Sequence, residues 1–339
     1  MGDRAVTVRS IARGTATLAV TGLLLGGCAG NSGSDQSGDQ GPRPLRDVTL
    51  LLDFTANPVH TGIFAATAEG FDREAGLNLS VREPSASTDA LKLLAAGSAD
   101  LAVLDIHDLG LAREKGRDIV GVMALVQQPL AALLASPAIA TPRALEGRSV
   151  GVTGLPSDSA VLRSVVTGAG GDPKRVREIT IGFNAVPALL SGRVAGATAF
   201  WNVEGVALRS KRPATKIFRI DQYGAPAYPE LVICATRQTL RERPQVIRDT
   251  LSAIAQGYRF TIAHPALGLG DLLSRNPGLA QPLAKAQLDA VLPAFTAGAK
   301  SFGELNAARL RAWAAWDVRF AILTTAPDLA LAFDRSFLP

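Results

Sequence analysis

The stretch that decides the fold is Leu51–Gly62, which reads LLDFTANPVHTG. An apolar, strand-like run ends abruptly at Asp53, and an apolar helical pattern follows the stretch. In an α/β protein, ligands bind where a buried strand gives way to a helix. Phe54, Asn57 and His60 come soon after Asp53, and a plain turn does not need so many polar and aromatic groups. We therefore predict a ligand site here, with Asx-turn and helix-capping roles as the alternative.

The N-terminal residues have the pattern of an export signal. Three arginines precede a short apolar run, Ala16–Leu25, which is too short to span a bilayer. The run ends in LGGC, and this order resembles a bacterial lipobox, which implies cleavage before Cys28 and a lipid on its sulfur. We predict a signal peptide over 1–27 and a flexible tether, rich in Gly, Ser, Asp and Gln, over 28–44. The alternative is an ordinary signal with an incidental cysteine.

The composition argues against several classes of protein. The formal net charge of +5 falls to +3 without the four charged residues of the predicted signal, and aromatic residues make up only 5%. There is no basic stripe with interleaved aromatics, so we expect no nucleic-acid partner. If Cys28 is acylated, Cys234 is the only remaining thiol, and no disulfide can form.

No pattern of catalytic or metal-ligating residues stands out. The three histidines, at positions 60, 107 and 264, include no i, i+4 pair, and no cysteine supports them as zinc ligands. The Gly-x-Ser-x-Gly motif is absent. His60 fits a general base, a helix cap or a hydrogen-bond donor to a ligand. We favour binding over catalysis and predict no catalytic residue, metal or cofactor.

Strand-like and helical segments alternate along the chain, which predicts an α/β protein with mostly parallel sheets. After Leu240 the predicted segments are all helical. The predicted strands are Val48–Asp53, Leu79–Val81, Leu101–Leu104, Ile119–Leu125, Ser149–Val152, Ile179–Ile181, Ala195–Phe200, Thr215–Ile220 and Leu231–Ala235.

The sequence contains an internal echo with an offset of 95 residues. An apolar helix ending in Gly97 precedes one small-residue strand, and a similar helix ending in Gly192 precedes another. The echo places Asp105 opposite Phe200, each at the end of its strand. Two similar lobes whose strand ends face each other would enclose a cleft.

Four polar groups are expected to line that cleft. The first group is the one that follows the strand ending at Asp53. The second is Asp105 with His107 and Asp108. The third is Ser157 with Asp158, which precede an apolar helix that either of them could cap. The fourth group joins aromatic, amide and carboxylate side chains, a combination that suits a flat, nitrogen-rich ring. The predicted ligand-binding residues are Asp53, Phe54, Asn57, His60, Asp105, Ser157, Asp158, Trp201, Asn202 and Glu204.

Several segments resemble one family, the NMT1/THI5-like group of thiamine-pyrimidine-precursor proteins. LLDFTANPVHTG is similar to the family's opening, Leu-Asp-Trp-x-x-Asn-x-x-His-x-Gly, with Phe54 in place of tryptophan. LKLLAAGSADLAV, AFWNVEGVALR and the tail LAFDRSFLP are similar to later family segments. The resemblance implies a type II periplasmic-binding-protein fold, with two lobes around a ligand cleft. Lobe 1 would comprise 45–135 and 231–339, and lobe 2 would comprise 136–230.

The resemblance also implies a function. It implies the solute receptor of an ABC importer, with permease subunits as partners. From the resemblance together with the lipobox-like segment, we predict a monomeric receptor that is lipid-anchored on the extracytoplasmic face of the cell membrane. The implied ligand is a hydroxymethyl- or formylamino-aminopyrimidine. One alternative is a receptor for riboflavin, an alkanesulfonate or nitrate. The other is a secreted enzyme of the THI5-like type that uses His60 as a base with Glu204 or Asp53.

Overall fold

The computed structural model describes residues 44–86, 88–155 and 157–339. The predicted signal peptide, Cys28 and the tether up to residue 43 lie outside the described residues. Within these ranges, no helix has the length and hydrophobicity needed to cross a membrane.

Ten strands form two five-stranded sheets of the same design. They are β1 (Arg46–Leu51), β2 (Leu77–Arg82), β3 (Leu101–Asp105), β4 (Ile119–Ala124), β5 (Ala131–Ala135), β6 (Ser149–Val152), β7 (Arg177–Thr180), β8 (Gly196–Phe200), β9 (Lys216–Arg219) and β10 (Leu231–Thr236). The first sheet has the order β2-β1-β3-β10-β4, and the second has the order β7-β6-β8-β5-β9. In each sheet four strands run in one direction, and β10 or β5 runs against its neighbours.

The echo in the sequence corresponds to this shared design. β3 and β8 occupy the same, central place in their sheets, and each follows a helix that ends at a left-handed glycine. Gly97 has φ of 71° and Gly192 has φ of 75°, a backbone region that favours glycine. Asp105 and Phe200 therefore end equivalent strands, as the offset of 95 residues predicted.

The chain crosses between the two sheets earlier than predicted. β5 hydrogen-bonds to β8 and β9 of the second sheet, so the predicted boundary after residue 135 is wrong, and the first crossover spans 125–130. The sequence analysis missed β5 because its residues, AALLA, favour helices and do not alternate in polarity. All five are buried in the structure, as is expected for a strand covered on both faces. The second crossover spans 220–230, between β9 and β10.

Helices cover both sheets, and those of the C-terminal tail pack mainly on the first. The helices are α1 (Thr61–Ala68), α2 (Phe71–Glu74), α3 (Asp89–Ala95), α4 (Ile106–Glu114), α5 (Asp158–Gly168), α6 (Ala185–Leu190), α7 (Val206–Lys211), α8 (Arg237–Glu242), α9 (Pro244–Ala263), α10 (Pro265–Arg275), α11 (Gln281–Val291), α12 (Ala307–Arg319) and α13 (Leu329–Ala332).

Close packing of α1 against α9 fixes the junction that follows β1. A methyl group added at Gly257 would lie 2.0 Å from the carbonyl oxygen of Gly62, so the two backbones touch. The buried Tyr258 donates a hydrogen bond of 2.7 Å to the carbonyl of Val59. The long tail helix thus anchors the start of α1, and with it the loop that carries Asp53.

Candidate functional site

A cavity of about 560 Å³ lies between the two lobes at the ends of their strands. Its size suits a small organic ligand. Apolar side chains form most of its wall, and carboxylates are prominent among its polar groups. Its acidic and hydroxyl lining residues are Asp53, Thr88, Asp105, Asp108, Thr153, Ser157, Asp158, Thr198 and Glu204, and its cationic lining residues are Lys92, Lys115 and Arg117.

The junction after β1 divides its predicted ligand residues between two roles. Asp53 and Phe54 line the cavity, whereas His60 and Asn57 are buried behind them. Nδ1 of His60 accepts the backbone N–H of Asn57 at 3.3 Å, which leaves the proton on Nε2, 2.8 Å from Asp53 Oδ1. The Asn57 side chain caps the backbone N–H of Val59. His60, held by Asn57, therefore orients Asp53. Asn57 has the capping role that the sequence analysis gave as the alternative to ligand binding.

The aromatic wall differs from the predicted one. Phe54 meets Phe183 of the other lobe, with ring centroids 4.3 Å apart at 75°, and Phe200 lines the cavity beside them. Trp201 does not line it: its indole N–H donates to the carbonyl of Pro129 at 3.0 Å, and its ring packs under Arg219. The prediction that Trp201 faces the ligand is therefore wrong.

A π-helical turn at Trp201–Gly205 explains this arrangement. Such turns are often found at functional sites. The wide turn brings Glu204 back beside Phe200, where Glu204 Oε2 accepts the backbone N–H of Phe200 at 3.2 Å. The intervening Trp201 and Asn202 point into the protein, and Asn202 is fully buried away from the cavity, contrary to the prediction.

Two carboxyl groups from opposite lobes are unusually basic. Burial raises the pKa of Glu204 to about 7, and the nearby charge of Asp53 adds to the shift. Burial also raises the pKa of Asp108 to about 7, with a contribution from Asp158. Both groups therefore change charge near neutral pH, and a ligand that donates N–H groups would favour their ionised forms.

Asp158 organises the loop that precedes α5. Its Oδ2 accepts the Thr153 hydroxyl and the backbone N–H groups of Gly154 and Leu155 at 2.8–2.9 Å, and its Oδ1 accepts the Thr198 hydroxyl at 2.9 Å. Burial raises its pKa, and these hydrogen bonds oppose the rise. Ser157 precedes α5 and lines the cavity without a side-chain capping bond. Both oxygens of Asp158 are thus occupied by hydrogen bonds from the protein, whereas the hydroxyl of Ser157 is more available to a ligand.

Asp105 connects the cavity to a buried polar network. Its Oδ1 caps α4 by accepting the His107 backbone N–H at 2.8 Å. The His107 ring lies 2.7 Å from Asp317 Oδ1 and 3.0 Å from the Tyr228 hydroxyl. The surrounding carboxylates, Asp317 first among them, outweigh the effect of burial and raise the pKa of His107 to about 10. Asp105, His107 and Glu230 offer ligand atoms within 4.8 Å of one another, but both ring nitrogens of His107 already have protein partners: Nδ1 contacts Asp317 and the Trp313 indole N–H, and Nε2 contacts the Tyr228 hydroxyl.

Sequence reasoning missed several lining residues, among them Phe183 and Thr198. Phe183 follows β7 directly, so the rule that ligands bind at strand ends could have found it. Thr198 lies inside β8, where nothing in the sequence distinguishes it from a core position. Asp108 was named beside Asp105 but was not included among the predicted ligand-binding residues, because a carboxylate within a helix is usually expected to be exposed to solvent.

A model of the family described as NMT1/THI5 like matches residues 57–267. The chain belongs to the NMT1/THI5-like family. A formylaminopyrimidine-binding protein of Halalkalibacterium halodurans is 31% identical over 264 residues, covering 77% of this chain and 78% of the relative. A 4-amino-5-hydroxymethyl-2-methylpyrimidine phosphate synthase of Legionella pneumophila is 27% identical over 74% of this chain and 80% of its own length. The relatives of this chain thus include proteins named as binding proteins and proteins named as synthases.

Solved structures show that this NMT1/THI5-like chain has the fold of periplasmic binding proteins. The alkanesulfonate-binding protein SsuA from Xanthomonas axonopodis pv. citri superposes with a TM-score of 0.68 at 16% identity, covering 86% of this chain and 99% of that one. The nitrate-binding protein NrtA from Synechocystis gives a TM-score of 0.68 at 11% identity, covering 86% and 87%. The family and the fold inferred from sequence resemblance are both confirmed.

Proposed function

We propose that this protein is the extracytoplasmic solute-binding receptor of an ABC importer and that its ligand is a thiamine-precursor pyrimidine. The observation that carries the proposal is the cavity between the lobes, which combines an aromatic wall with carboxylates from both sides. An aminopyrimidine is flat and offers N–H donors. It can lie against Phe54, Phe183 and Phe200 while Glu204 and Asp108 accept its hydrogen bonds.

The same charges disfavour an anionic ligand. A sulfonate or nitrate would need cationic or N–H donors, whereas the cavity is lined by five carboxyl groups and three cationic side chains, an excess of acidic groups. The likeness to sulfonate- and nitrate-binding proteins, at 16% and 11% identity, concerns the fold alone. The relative named for formylaminopyrimidine binding is closer in sequence, which supports the pyrimidine.

An enzyme of the THI5-like type is the second candidate, because several relatives are named as pyrimidine phosphate synthases. The geometry favours the receptor. His60, the one base proposed for catalysis, is fully buried, and its Nε2–H is bonded to Asp53 and does not face the cavity.

Calorimetry with a ligand panel tests the proposal. We expect saturable binding of formylamino-aminopyrimidine or hydroxymethyl-aminopyrimidine at one site, and no comparable binding of riboflavin, an alkanesulfonate or nitrate. Tighter binding of a sulfonate than of either pyrimidine would reject the ligand assignment and leave the receptor assignment standing.

We further propose that the mature protein is a monomer anchored to the cell membrane through a lipid on Cys28. The proposal rests on the order of charged, apolar and lipobox-like segments in the first 28 residues. Cys28→Ser should move the protein from the membrane fraction to the soluble extracytoplasmic fraction and leave pyrimidine affinity unchanged. Fractionation of cells that express both forms makes the measurement, and membrane retention of the serine form would contradict the anchor.

A further inference from the structure

The two crossovers between the lobes meet at one buried carboxylate. Glu230 is the last residue of the second crossover and is fully buried. Its Oε2 accepts the backbone N–H of Leu130 at 2.6 Å and of Ala131 at 2.9 Å, where the first crossover enters β5. The main chain adds a bond of 2.8 Å from the N–H of Leu125 to the carbonyl of Leu231. One side chain therefore joins two segments that are about 100 residues apart in the chain.

The other oxygen of Glu230 faces the ligand cavity's own network. Glu230 Oε1 lies 3.7 Å from His107 Nε2, and the main-chain carbonyl of Glu230 accepts the N–H of Ile106, the residue next to Asp105, at 2.9 Å. The side-chain atoms of Asp105, His107 and Glu230 lie within 4.8 Å of one another, and burial raises the pKa of Asp105 well above its usual range. Asp105 lines the cavity and Glu230 does not, so Glu230 lies directly behind the cavity wall at Asp105.

The charged surroundings of Glu230 come from several elements. Asp105 ends β3, and His107 lies in the first turn of α4. Tyr228 belongs to the second crossover, and Asp317 of α12 contacts the ring nitrogen of His107 that faces away from Glu230. Asp317 is as fully buried as Glu230 and also contacts His107, but its side chain makes no hydrogen bond to either crossover. It therefore provides a matched control for the loss of a carboxylate from this network.

We propose that Glu230 is a positioning residue that couples occupancy of the cleft to closure of the lobes, by holding both crossovers in one arrangement while supporting Asp105 at the cavity wall. This inference rests on the receptor function proposed above, since closure around a solute is what a receptor signals. Hinge closure depends on a few residues that fix the backbone between two bodies. A ligand that orders Asp105 would thereby stabilise the closed arrangement of the crossovers.

The test compares Glu230→Gln with Asp317→Asn in the full-length protein. We expect Glu230→Gln to speed hydrogen exchange in peptides spanning 128–133 about tenfold, since it weakens charge-assisted bonds to two amides. It should also raise the dissociation rate of formylamino-aminopyrimidine about tenfold and enlarge the ligand-free radius of gyration measured by X-ray scattering. Asp317→Asn should leave all three quantities within about twofold of wild type.

Unchanged exchange at 128–133 in Glu230→Gln, or equal changes in Asp317→Asn, would overturn the inference. If Glu230→Gln does not fold, Glu230→Asp, which keeps the charge but shortens the reach, should show the same loss of protection and faster dissociation. If wild type binds no pyrimidine, the proposed ligand fails, while exchange and scattering of the ligand-free proteins still decide the role of Glu230.

Discussion

Replacing Glu204 with glutamine is expected to weaken pyrimidine binding by about 1.5–3 kcal/mol, which is roughly 10- to 150-fold. Glu204 faces the cavity from the π-helical turn, and its carboxylate is an acceptor for ligand N–H groups. Glutamine keeps the shape but places an N–H donor where one of the two acceptor oxygens was. A ligand N–H would then meet another donor, and neither group would be satisfied.

Calorimetry with purified Glu204→Gln makes the measurement, and Glu242→Gln on the surface helix α8 is the control. The control should bind as wild type does. An unchanged affinity in Glu204→Gln, with the thermal unfolding of the protein intact, would show that the carboxylate does not contact the ligand.

Ligand affinity is expected to fall as the pH drops from 8 to 5.5. The pKa values of Glu204 and Asp108 are raised to about 7, so both acceptors gain protons within this range. If one ionised carboxylate is required, affinity falls by up to about tenfold for each pH unit below 7. The ligand itself also titrates, but equally in every variant. The profile of Glu204→Gln should therefore be flatter than that of wild type, and identical slopes would contradict this account.

The stability of the ligand-free protein should change in the opposite direction. A carboxyl group whose pKa is raised in the folded state binds its proton more tightly there than in the unfolded state. Its stabilising contribution to the free energy of unfolding is therefore complete below pH 4 and is lost as the pH rises through 7. The raised pKa of His107, about 10, acts with the same sign at higher pH. We expect the free energy of unfolding to decrease by roughly 1–3 kcal/mol between pH 5 and pH 8. Denaturant titrations at both pH values would show this, and higher stability at pH 8 would contradict it.

The sequence predicted most of the fold because hydrophobic patterns mark strand ends directly. Nine of the ten strands were predicted, and the echo matched β3 with β8, because helix, left-handed glycine and strand recur in the same order in both halves. β5 was missed because a strand buried on both faces has no alternation. That one strand also displaced the predicted lobe boundary, since it is the strand by which the chain enters the second sheet.

The sequence predicted the candidate site only in part because spacing does not fix side-chain direction. Asp53, Phe54, Asp105 and Glu204 line the cavity as expected. Trp201 does not, because the π-helical turn rotates it toward the first crossover. A turn of that width cannot be distinguished from an α-helical start by residue type alone, and Phe183 lies in the loop after β7, where the sequence analysis placed no site residue.

The most direct test of the central claim is to follow the fate of a bound pyrimidine. Purified protein is incubated with formylamino-aminopyrimidine, and native mass spectrometry measures the number of ligands bound per chain. The small molecule is then released, and its mass is determined. A receptor should carry one ligand per chain and return it with its mass unchanged. Conversion of the pyrimidine to another mass, abolished by His60→Ala, would contradict the receptor and establish the enzyme.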